Sequence, residues 1–418
     1  MRVFVSVHET SGDHATAQLV EALRGAEPVP DSRRSSGASS PISDRSPLEV
    51  AGHGGPALAA VGTTLWAETT THAKGGILEI FGEIPRLFRY LKTTTAQVAA
   101  FDPDVAVLVD APEINIRLAK RIRAASPRTR IVYYLAPQIW AWRTGRAKQL
   151  KRYFDRLYCI VPFEPDWYAD RNVTTAHFIG HPAVGRIVRW FQALQAEVGE
   201  PSDASPGGPS RNAGLPQQGA LPDPASPAAT ALRNQLRSRL GLDPSAPVVA
   251  VLPGSRRKEV ASLLTTQLEA VRRRNEARRA AGAPPYQTLI SIAPRRPLEE
   301  IRALVTPFEA DLRPTLVHPD PEVPGGAPKV NRTAELSPVL RGTSYDAAFA
   351  ADEALVASGT ATLETALIGT PQVVCYRVHP FTAWIIRRLI KVRFASLTNL
   401  VADREVIPER LQADCNPA

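Results

Sequence analysis

Short runs of apolar and β-branched residues recur in both halves of this chain, and most are followed by an amphipathic helical pattern. The runs are VFVSV (3–7), VAVLVD (105–110), RIVYYL (130–135), RLYCIV (156–161), VVAVL (248–252), TLISIA (288–293), EALVAS (353–358) and QVVCY (372–376). Strands without polar alternation are buried on both faces, and helices between such strands are typical of parallel sheets. The sequence therefore predicts an α/β protein with parallel sheets covered by helices.

Stretches of low complexity divide the chain. Residues 26–47 and 200–231 are rich in Pro, Ser, Gly and Ala and lack apolar periodicity, and 319–331 is a shorter case. A chain of 418 residues is long enough for two domains. We expect two Rossmann-like domains facing each other across a cleft at the carboxyl ends of their strands. Their predicted bounds are 1–195 with an insertion at 26–47, a linker over 196–232, and 233–418.

The charge balance points to an anionic partner. The formal net charge is +9 and the pI is about 9.7, which suits nucleic acid, a phosphorylated substrate or an anionic membrane surface. No apolar run reaches the roughly 20 residues of a membrane span. MRVFVSVHETSGD enters a strand directly, so we expect no secretory signal. The three separated cysteines make no metal spacing and fit a reducing cytosol.

An acid ends one of the buried strands. VAVLVDAPEIN (105–115) stops at Asp110, turns at Pro112, and places Glu113 and Asn115 at the start of a helix. A carboxylate at this edge of a parallel sheet can remove a proton from an attacking hydroxyl group. A plain polar strand end is the alternative interpretation.

Two glycine turns and an aromatic segment accompany this strand. HETSGDH (8–14) offers Ser11 and Asp13 at a helix start, either as ligand contacts or as helix caps, and GHGG (52–55) is a second turn. LAPQIWAWRTGR (135–146) carries Arg143 and Arg146, which could steady a phosphate beside two tryptophans. An aromatic packing cluster is the alternative there.

The second half contains two loops suited to a nucleotide diphosphate. VLPGSRRKEV (251–260) offers backbone donors, a hydroxyl and a guanidinium to phosphate. SGTATLETAL (358–367) opens a helix with small hydroxyl residues and carries Glu364 one turn inside, where a carboxylate can hold a ribose. Neither a Walker sequence nor a GxGxxG fingerprint is present.

Basic residues are mixed with aromatic ones in two further segments. These are YRVHPFTAWIIRRLIKVRF (376–394) and IPRLFRYLKT (84–93). Such amphipathic helices can contact an anionic lipid surface, although core packing with extended cations is an alternative.

Several motifs occur together in one order: HETSGDH, VDAPEIN, YYLAPQIWAWRTGRAKQLKR, PFEPDWY, FIGHP, LPGSRRKEV, ASGTATLETAL, YRVHPFT and SLTNLVADREVIPE. This series closely resembles the lipid-A-disaccharide synthases, inverting glycosyltransferases of the GT-B architecture. The resemblance implies transfer of 2,3-diacylglucosamine from UDP-2,3-diacylglucosamine to the 6-hydroxyl of 2,3-diacylglucosamine 1-phosphate. The products are UDP and the β-1′,6-linked disaccharide 1-phosphate of lipid A biosynthesis.

The resemblance also assigns residues. Asp110 matches the family's catalytic base, and Arg256 would neutralise charge growing on the departing UDP. Glu364 would hold the ribose. The other matched positions, expected to contact substrate, are Ser11, Asp13, Asn115, Gly254, Ser255, Ser358, Gly359, Thr360, Asn399 and Glu405. No metal and no cofactor are implied.

The acylated substrates imply a peripheral enzyme on the cytoplasmic face of the inner membrane, with no nucleic acid partner and with a homodimer allowed. Two departures from the family pattern stand out. Members usually continue with further helices, whereas this sequence stops at Ala418, so we expect it to lack them. His8 also stands where a glycine is common.

Two other interpretations remain open from the sequence. UDP-N-acetylglucosamine 2-epimerases and the peptidoglycan glycosyltransferase share the architecture and a similar nucleotide site, although the WAW and HPFT segments argue against them. An inactive, truncated homologue that binds anionic lipid or nucleic acid through its positive charge is the third.

Overall fold

The computed structural model describes residues 1–25, 48–70, 84–198, 223–294, 296–319, 339–378, 383–384, 388 and 392–417. The insertion predicted at 26–47, and most of the stretches 196–232, 319–331 and 379–394, lie outside these residues. The chain forms two compact units, Met1–His181 and Pro182–Ala418. Each unit is built on a seven-stranded sheet.

The first unit has parallel strands in the order β3-β2-β1-β4-β5-β6-β7. The strands are β1 Arg2–Ser6, β2 Glu49–Gly54, β3 Thr64–Glu68, β4 Val105–Val109, β5 Arg130–Tyr134, β6 Arg156–Cys159 and β7 Ala176–Phe178. The helices are α1 Thr10–Gly25, α2 Pro56–Ala60, α3 Ile84–Phe101, α4 Pro112–Ala125, α5 Ala147–Tyr153 and α6 Glu164–Ala169.

The second unit repeats this plan in the order β11-β10-β9-β8-β12-β13-β14, again with parallel pairs. Its strands are β8 Val248–Leu252, β9 Gln287–Ser291, β10 Thr315–His318, β11 Val339–Arg341, β12 Glu353–Ala357, β13 Gln372–Tyr376 and β14 Glu409–Leu411. Its helices are α7 Pro182–Val198, α8 Pro227–Arg239, α9 Arg257–Ala280, α10 Leu298–Val305, α11 Glu309–Leu312, α12 Ser344–Ala350, α13 Thr360–Ile368 and α14 Leu397–Ala402.

Successive side chains of a strand point to opposite faces of its sheet, and in both sheets the side chains on each face enter a hydrophobic core. Phe4, Ala106 and Leu108 enter one core, while Val5, Val107 and Val109 enter the other. In the second unit Val248 and Ala250 pack on one face of β8, and Val249 and Val251 pack on the other. This confirms the parallel α/β prediction.

The unit boundary differs from the expected one. Helix α7, whose residues up to 195 we assigned to the first domain, packs with α8 and α13 of the second unit. Part of the expected linker is also helical, because Ser226 accepts a hydrogen bond from Ala229 N at 3.2 Å and Pro227 starts α8. A serine cap followed by proline is a helix start, which the Pro/Ser-rich composition concealed.

The strand orders place one crevice in each unit. In the first sheet β1 and β4 are neighbours and their following chains turn in opposite directions along the strand order; β8 and β12 hold the same position in the second sheet. Ligands of open parallel sheets bind at the carboxyl ends of such strands. The loops at these points are 7–9 with 110–111, and 253–256 with 358–359.

Candidate functional site

The chain leaves β4 through two strained residues. Asp110 and Ala111 have φ angles of 51° and 36°, in the left-handed region that costs non-glycine residues on the order of 1–3 kcal/mol each. Asn115 Nδ2 donates to the carbonyls of Val109 and Asp110 at 2.7 and 3.1 Å. The Tyr133 hydroxyl donates to the Asp110 carbonyl at 2.5 Å. Buried donors therefore fix the direction in which the Asp110 side chain leaves the strand.

The Asp110 carboxylate lies against the loop that follows β1. Its Oδ1 accepts from His8 N at 3.1 Å, and its Oδ2 accepts from Glu9 N at 3.0 Å. Gly12 makes this approach possible, since a Cβ atom there would stand 2.4 Å from Asp110 Oδ2. Helix α1 begins at Thr10, and Gly12 lets its first turn pass this close to the acid.

Burial, together with the nearby negative charge of Glu9, raises the pKa of the Asp110 carboxyl from 3.8 to about 8. The two backbone N–H groups of Glu9 and His8 oppose the shift. A carboxylate of raised pKa is a stronger base than an ordinary one, and a base is most effective when its pKa lies near the working pH.

A chain of buried polar side chains extends from this loop. His8 Nε2 lies 3.2 Å from Ser6 Oγ and 3.4 Å from the Tyr90 hydroxyl, which lies 2.6 Å from His53 Nδ1. Ser6 Oγ donates to Asn115 Oδ1 at 2.9 Å, so His8 Nε2 carries the proton that Ser6 accepts. Burial lowers the pKa of both histidines to about 4. The imidazole of His8 therefore points inward, uncharged.

Asn115 is 0% exposed, with its amide bonded to Ser6 and to the strand end. The sequence placed it among the substrate contacts, whereas in this arrangement it acts through the backbone of Asp110. A helix period does not reveal that its side chain points back into the strand end.

Asp13 and Ser11 separate from one another on α1. Asp13 is buried, and its oxygens accept from Gly55 N at 2.7 Å and Ala57 N at 2.9 Å, which caps α2. Ser11 is exposed. The predicted GHGG turn is mostly strand β2, and Gly52 is needed there because a Cβ atom would stand 2.0 Å from the Val5 carbonyl oxygen.

In the second unit the 253–256 loop joins β8 to α9. Gly254 has a φ of 101°, and a Cβ atom there would stand 2.2 Å from Glu259 Oε2. Glu259 accepts from the backbone N–H groups of Ser255 and Arg256. The side chains of Ser255 and Arg256 are exposed. Arg256 precedes the 24-residue helix α9, and its side chain makes no capping hydrogen bond. The loop thus presents a hydroxyl, a guanidinium and a helix N-terminus.

The 358–360 loop joins the neighbouring strand β12 to α13. Gly359 and Thr360 are exposed, and Ser358 Oγ donates to the Ala395 carbonyl at 3.1 Å. Glu364, one turn inside α13, accepts from Arg186 Nη2 at 2.7 Å and from the Tyr345 hydroxyl at 2.9 Å. Both contacts reach Oε1, so its carboxylate is held in one orientation.

Asn399 and Glu405 behave differently. Asn399 is 0% exposed; its Oδ1 accepts from Val406 N and Ile407 N at 2.8 and 3.0 Å, and its Nδ2 donates to Glu409 Oε1 at 2.8 Å. Glu405 is exposed on the loop that Asn399 organises. The amide predicted to contact substrate is occupied by the protein, which leaves Glu405 as the outward group.

The structure brings the predicted residues together in two groups, one at each crevice. Asp110 with the 8–12 loop forms the first, and the 254–256 and 358–360 loops with Glu364 form the second. Sequence reasoning missed the supporting side chains Ser6, Tyr90, His53, Arg186 and Tyr345. Only Ser6 gave a signal, as the polar residue inside VFVSV.

Among the residues that the structure describes, no helix combines the length and apolar character required to cross a membrane. No group of three or more His, Cys, Asp or Glu side chains in the same residues is arranged to hold a metal ion.

A similar solved structure supports the fold. The UDP-GlcNAc 2-epimerase from Neisseria meningitidis, solved bound to UDP-GlcNAc, has a TM-score of 0.50 and 8% identity, covering 96% of this chain and 90% of that one. At this identity the likeness shows the fold alone, which consists of two Rossmann-like units as predicted from the sequence.

Sequence comparisons identify the family. The lipid-A-disaccharide synthase of Myxococcus xanthus is 35% identical over 417 residues, covering 100% of this chain and 85% of that protein. The synthase of Rhodospirillum centenum is 32% identical over 421 residues, covering 99% of this chain and 82% of that protein. The family model described as lipid-A-disaccharide synthetase matches residues 3–197 and 328–418. This chain belongs to the lipid-A-disaccharide synthase family.

Proposed function

We propose that the chain transfers 2,3-diacylglucosamine from UDP-2,3-diacylglucosamine to the 6-hydroxyl of 2,3-diacylglucosamine 1-phosphate. The hydroxyl oxygen attacks the anomeric carbon of the donor and forms the new glycosidic bond. The bond from that carbon to the UDP oxygen breaks, and its electron pair leaves with UDP. The hydroxyl proton passes to the protein, and attack opposite the leaving group inverts the anomeric carbon.

Asp110 is the proton acceptor in this proposal, and its geometry is the observation that carries it. The carboxylate ends β4 at the crevice of its sheet, on a strained backbone held by buried donors. Its raised pKa suits removal of a proton from a sugar hydroxyl. The backbone N–H groups of His8 and Glu9 donate to the Asp110 carboxylate and orient it without placing a positive charge beside it.

We assign the donor nucleotide to the second unit. The first turn of α9 and the backbone of residues 358–360 favour a diphosphate, and Arg256 offers a positive charge to the leaving group. Glu364 is held by Arg186 and Tyr345, and its carboxylate would accept the ribose hydroxyls.

We further propose that the enzyme works at the cytoplasmic face of the inner membrane as a peripheral homodimer. Phe88 on α3 is 57% exposed, and Trp384 is 51% exposed with Arg388 over its ring at 4.1 Å. Apolar rings beside cations favour an anionic lipid surface. Flotation with phosphatidylglycerol vesicles tests the attachment, and equilibrium sedimentation tests the dimer.

The test of the reaction is UDP release with both glycolipids in detergent micelles. The wild-type protein should release UDP only when the acceptor is present, and Asp110→Asn should lower the rate at least 100-fold. Asp170→Asn, which changes an exposed acid of the same unit, is the control and should leave the rate unchanged. Release without acceptor would favour an epimerase-like reaction, and equal rates in both variants would remove Asp110 from its role.

A further inference from the structure

A second charged cluster stands one helical turn from Asp110, and the transfer chemistry described above does not use it. Glu113, in the first turn of α4, receives two guanidinium groups on the same oxygen. Arg143 Nη1 lies 2.8 Å and Arg146 Nη2 lies 2.9 Å from Glu113 Oε1. Two positive charges therefore meet one negative charge, which leaves a local excess of +1.

The cluster has donors to spare. A guanidinium carries five N–H groups; Arg143 donates one of them to Glu113, and Arg146 forms an ion pair with the same oxygen. The side chains of Arg143 and Glu113 are 40% and 38% exposed, and that of Arg146 is 18% exposed. Ion pairs this exposed contribute only about 0–1 kcal/mol to stability. A purely structural role therefore explains little of why the cluster is built.

The segment that carries the arginines is anchored in the first unit. Trp140 is buried, and its Nε1 donates to Glu164 Oε1 at 2.9 Å. Trp142 is instead exposed, and the Arg143 guanidinium lies over its ring at 4.0 Å. A 3-10 turn over Thr144–Arg146 leads into α5. The two guanidinium groups are thus oriented before any ligand arrives.

Tyr133 links this cluster to the strained strand end. Its hydroxyl donates to the Asp110 carbonyl. Burial raises its pKa well above the ordinary value, the charges of Asp110 and Glu113 add to the shift, and Arg146 opposes it. Arg146 and Glu113 therefore lie within electrostatic range of the atoms that hold Asp110.

We propose that Arg143 and Arg146 form an anion subsite that binds the phosphate of the acceptor sugar, with Glu113 holding the empty subsite in shape. Paired guanidinium forks match the oxygens of a phosphomonoester, and one doubly charged phosphate outcompetes one carboxylate for them. The assignment rests on the proposed transfer reaction. It gives the acceptor a second point of attachment, which would orient its free hydroxyl toward Asp110.

The test compares two acceptors, 2,3-diacylglucosamine 1-phosphate and the same glycolipid without phosphate. The wild-type protein should prefer the phosphorylated acceptor in kcat/KM. Arg143→Gln with Arg146→Gln should reduce that preference about 10- to 100-fold, the usual value of lost charge-assisted hydrogen bonds, with the donor KM unchanged. Arg128→Gln, in the loop that follows α4 and 92% exposed, is the control. An unchanged preference in the double variant would overturn the proposal.

A binding measurement separates this proposal from the reaction itself. Saturation-transfer NMR with glucosamine 1-phosphate and with glucosamine needs no turnover. Binding of the phosphorylated sugar alone, lost in the double variant, supports the subsite even if the wild-type protein releases no UDP. Equal signals from both sugars would overturn it. A matching loss of binding to phosphatidylglycerol vesicles would assign the arginines to the membrane surface and also overturn it.

Discussion

Asp110 combines two costly features that have a common origin at the end of β4. The left-handed backbone turns its side chain toward the 8–9 loop, and the same turn removes the carboxylate from water. Burial then raises the pKa of that carboxyl to about 8. Strain and desolvation of this kind persist where the surrounding structure over-determines the residue, and they cluster at functional sites.

The raised pKa predicts the pH dependence of activity. A general base must be deprotonated, so kcat/KM should rise about tenfold per pH unit below pH 8 and level off above it. Initial rates of UDP release across pH 6–9, at subsaturating acceptor, would measure the profile. A plateau extending down to about pH 5 would mean that Asp110 titrates like an ordinary carboxyl, or that another group is the base.

The same shift predicts an opposite trend in stability. Between about pH 4 and pH 8 the unfolded chain releases the Asp110 proton while the folded chain keeps it, so this residue lowers stability as pH rises. Asp110→Asn should therefore raise the free energy of unfolding by roughly 1–3 kcal/mol at pH 8 and by less at pH 4. This gain is smaller than a direct conversion of the whole pKa difference into free energy would give. Urea unfolding at the two pH values checks the sign, and a gain confined to pH 4 would contradict it.

Asn115 should matter for both folding and catalysis, which a matched residue can separate. Asn115→Ala leaves buried carbonyls unpaired and should cost about 1–3 kcal/mol of stability, and it should lower kcat at least tenfold by releasing the Asp110 turn. Asn275→Ala removes an equally buried amide, bonded to the Tyr286 backbone in the second unit, and should cost similar stability without changing kcat. Equal kcat values in the two variants would deny Asn115 a positioning role.

These residues also mark the limit of sequence reasoning at this scale. The position of Asp110 was predictable, because the carboxyl ends of parallel strands face the crevice of the sheet. Asn115, Asn399 and Asp13 were recognised as special polar positions, but their side chains point into the protein. The direction of a side chain depends on contacts with residues far away in sequence, such as Ser6 with Asn115, and no local pattern records them.

At the scale of elements, α1 depends on a glycine at the point where it passes Asp110. Gly12→Ala would place a Cβ atom 2.4 Å from Asp110 Oδ2, so we expect the carboxylate to be displaced and kcat to fall at least tenfold. Gly25→Ala, at the end of the same helix with nothing within 4 Å, should leave kcat unchanged and alter stability by less than about 1 kcal/mol. Steady-state rates of both variants check this, and full activity of Gly12→Ala would show that the contact yields freely.

The predicted strands are the ones with continuous apolar runs, and they include the central strands of both sheets. The missed strands are β2, β3, β7, β10, β11 and β14, which are three to six residues long and mostly lie toward the sheet edges. Sequences such as EVAGHG and ERL carry no apolar run. These residues form strands because they pair with the strand beside them. Long-range pairing of that kind leaves little local signal.

At the scale of the whole molecule, the two units use one device twice. Each sheet reverses its strand order beside a central strand, and each predicted group of site residues lies at the carboxyl ends of the two strands involved. That placement was predictable, because it follows from parallel strands alone. The helix α7 was not, since its attachment to the second unit depends on contacts such as Trp190 Nε1 with Asp346 Oδ1 at 3.1 Å.

This division predicts that nucleotide affinity and proton transfer can be changed independently. Glu364→Gln or Arg256→Gln should raise the Kd for UDP about 10- to 100-fold, because each removes a charge proposed to contact the nucleotide. Arg186→Met should raise it less, since that side chain only orients Glu364. Asp110→Asn, in the other unit, should bind UDP as the wild-type protein does.

Isothermal titration with UDP measures these constants without any glycolipid. Arg239→Gln is the matched control for Arg186→Met, because its ion pair with Glu197 lies on the surface of the same unit and should not affect UDP. A wild-type Kd in Glu364→Gln would remove the ribose contact while leaving Arg256 in place. A loss of UDP binding in Asp110→Asn would mean that the acid and the nucleotide site are energetically coupled, and it would contradict the expected independence of the two.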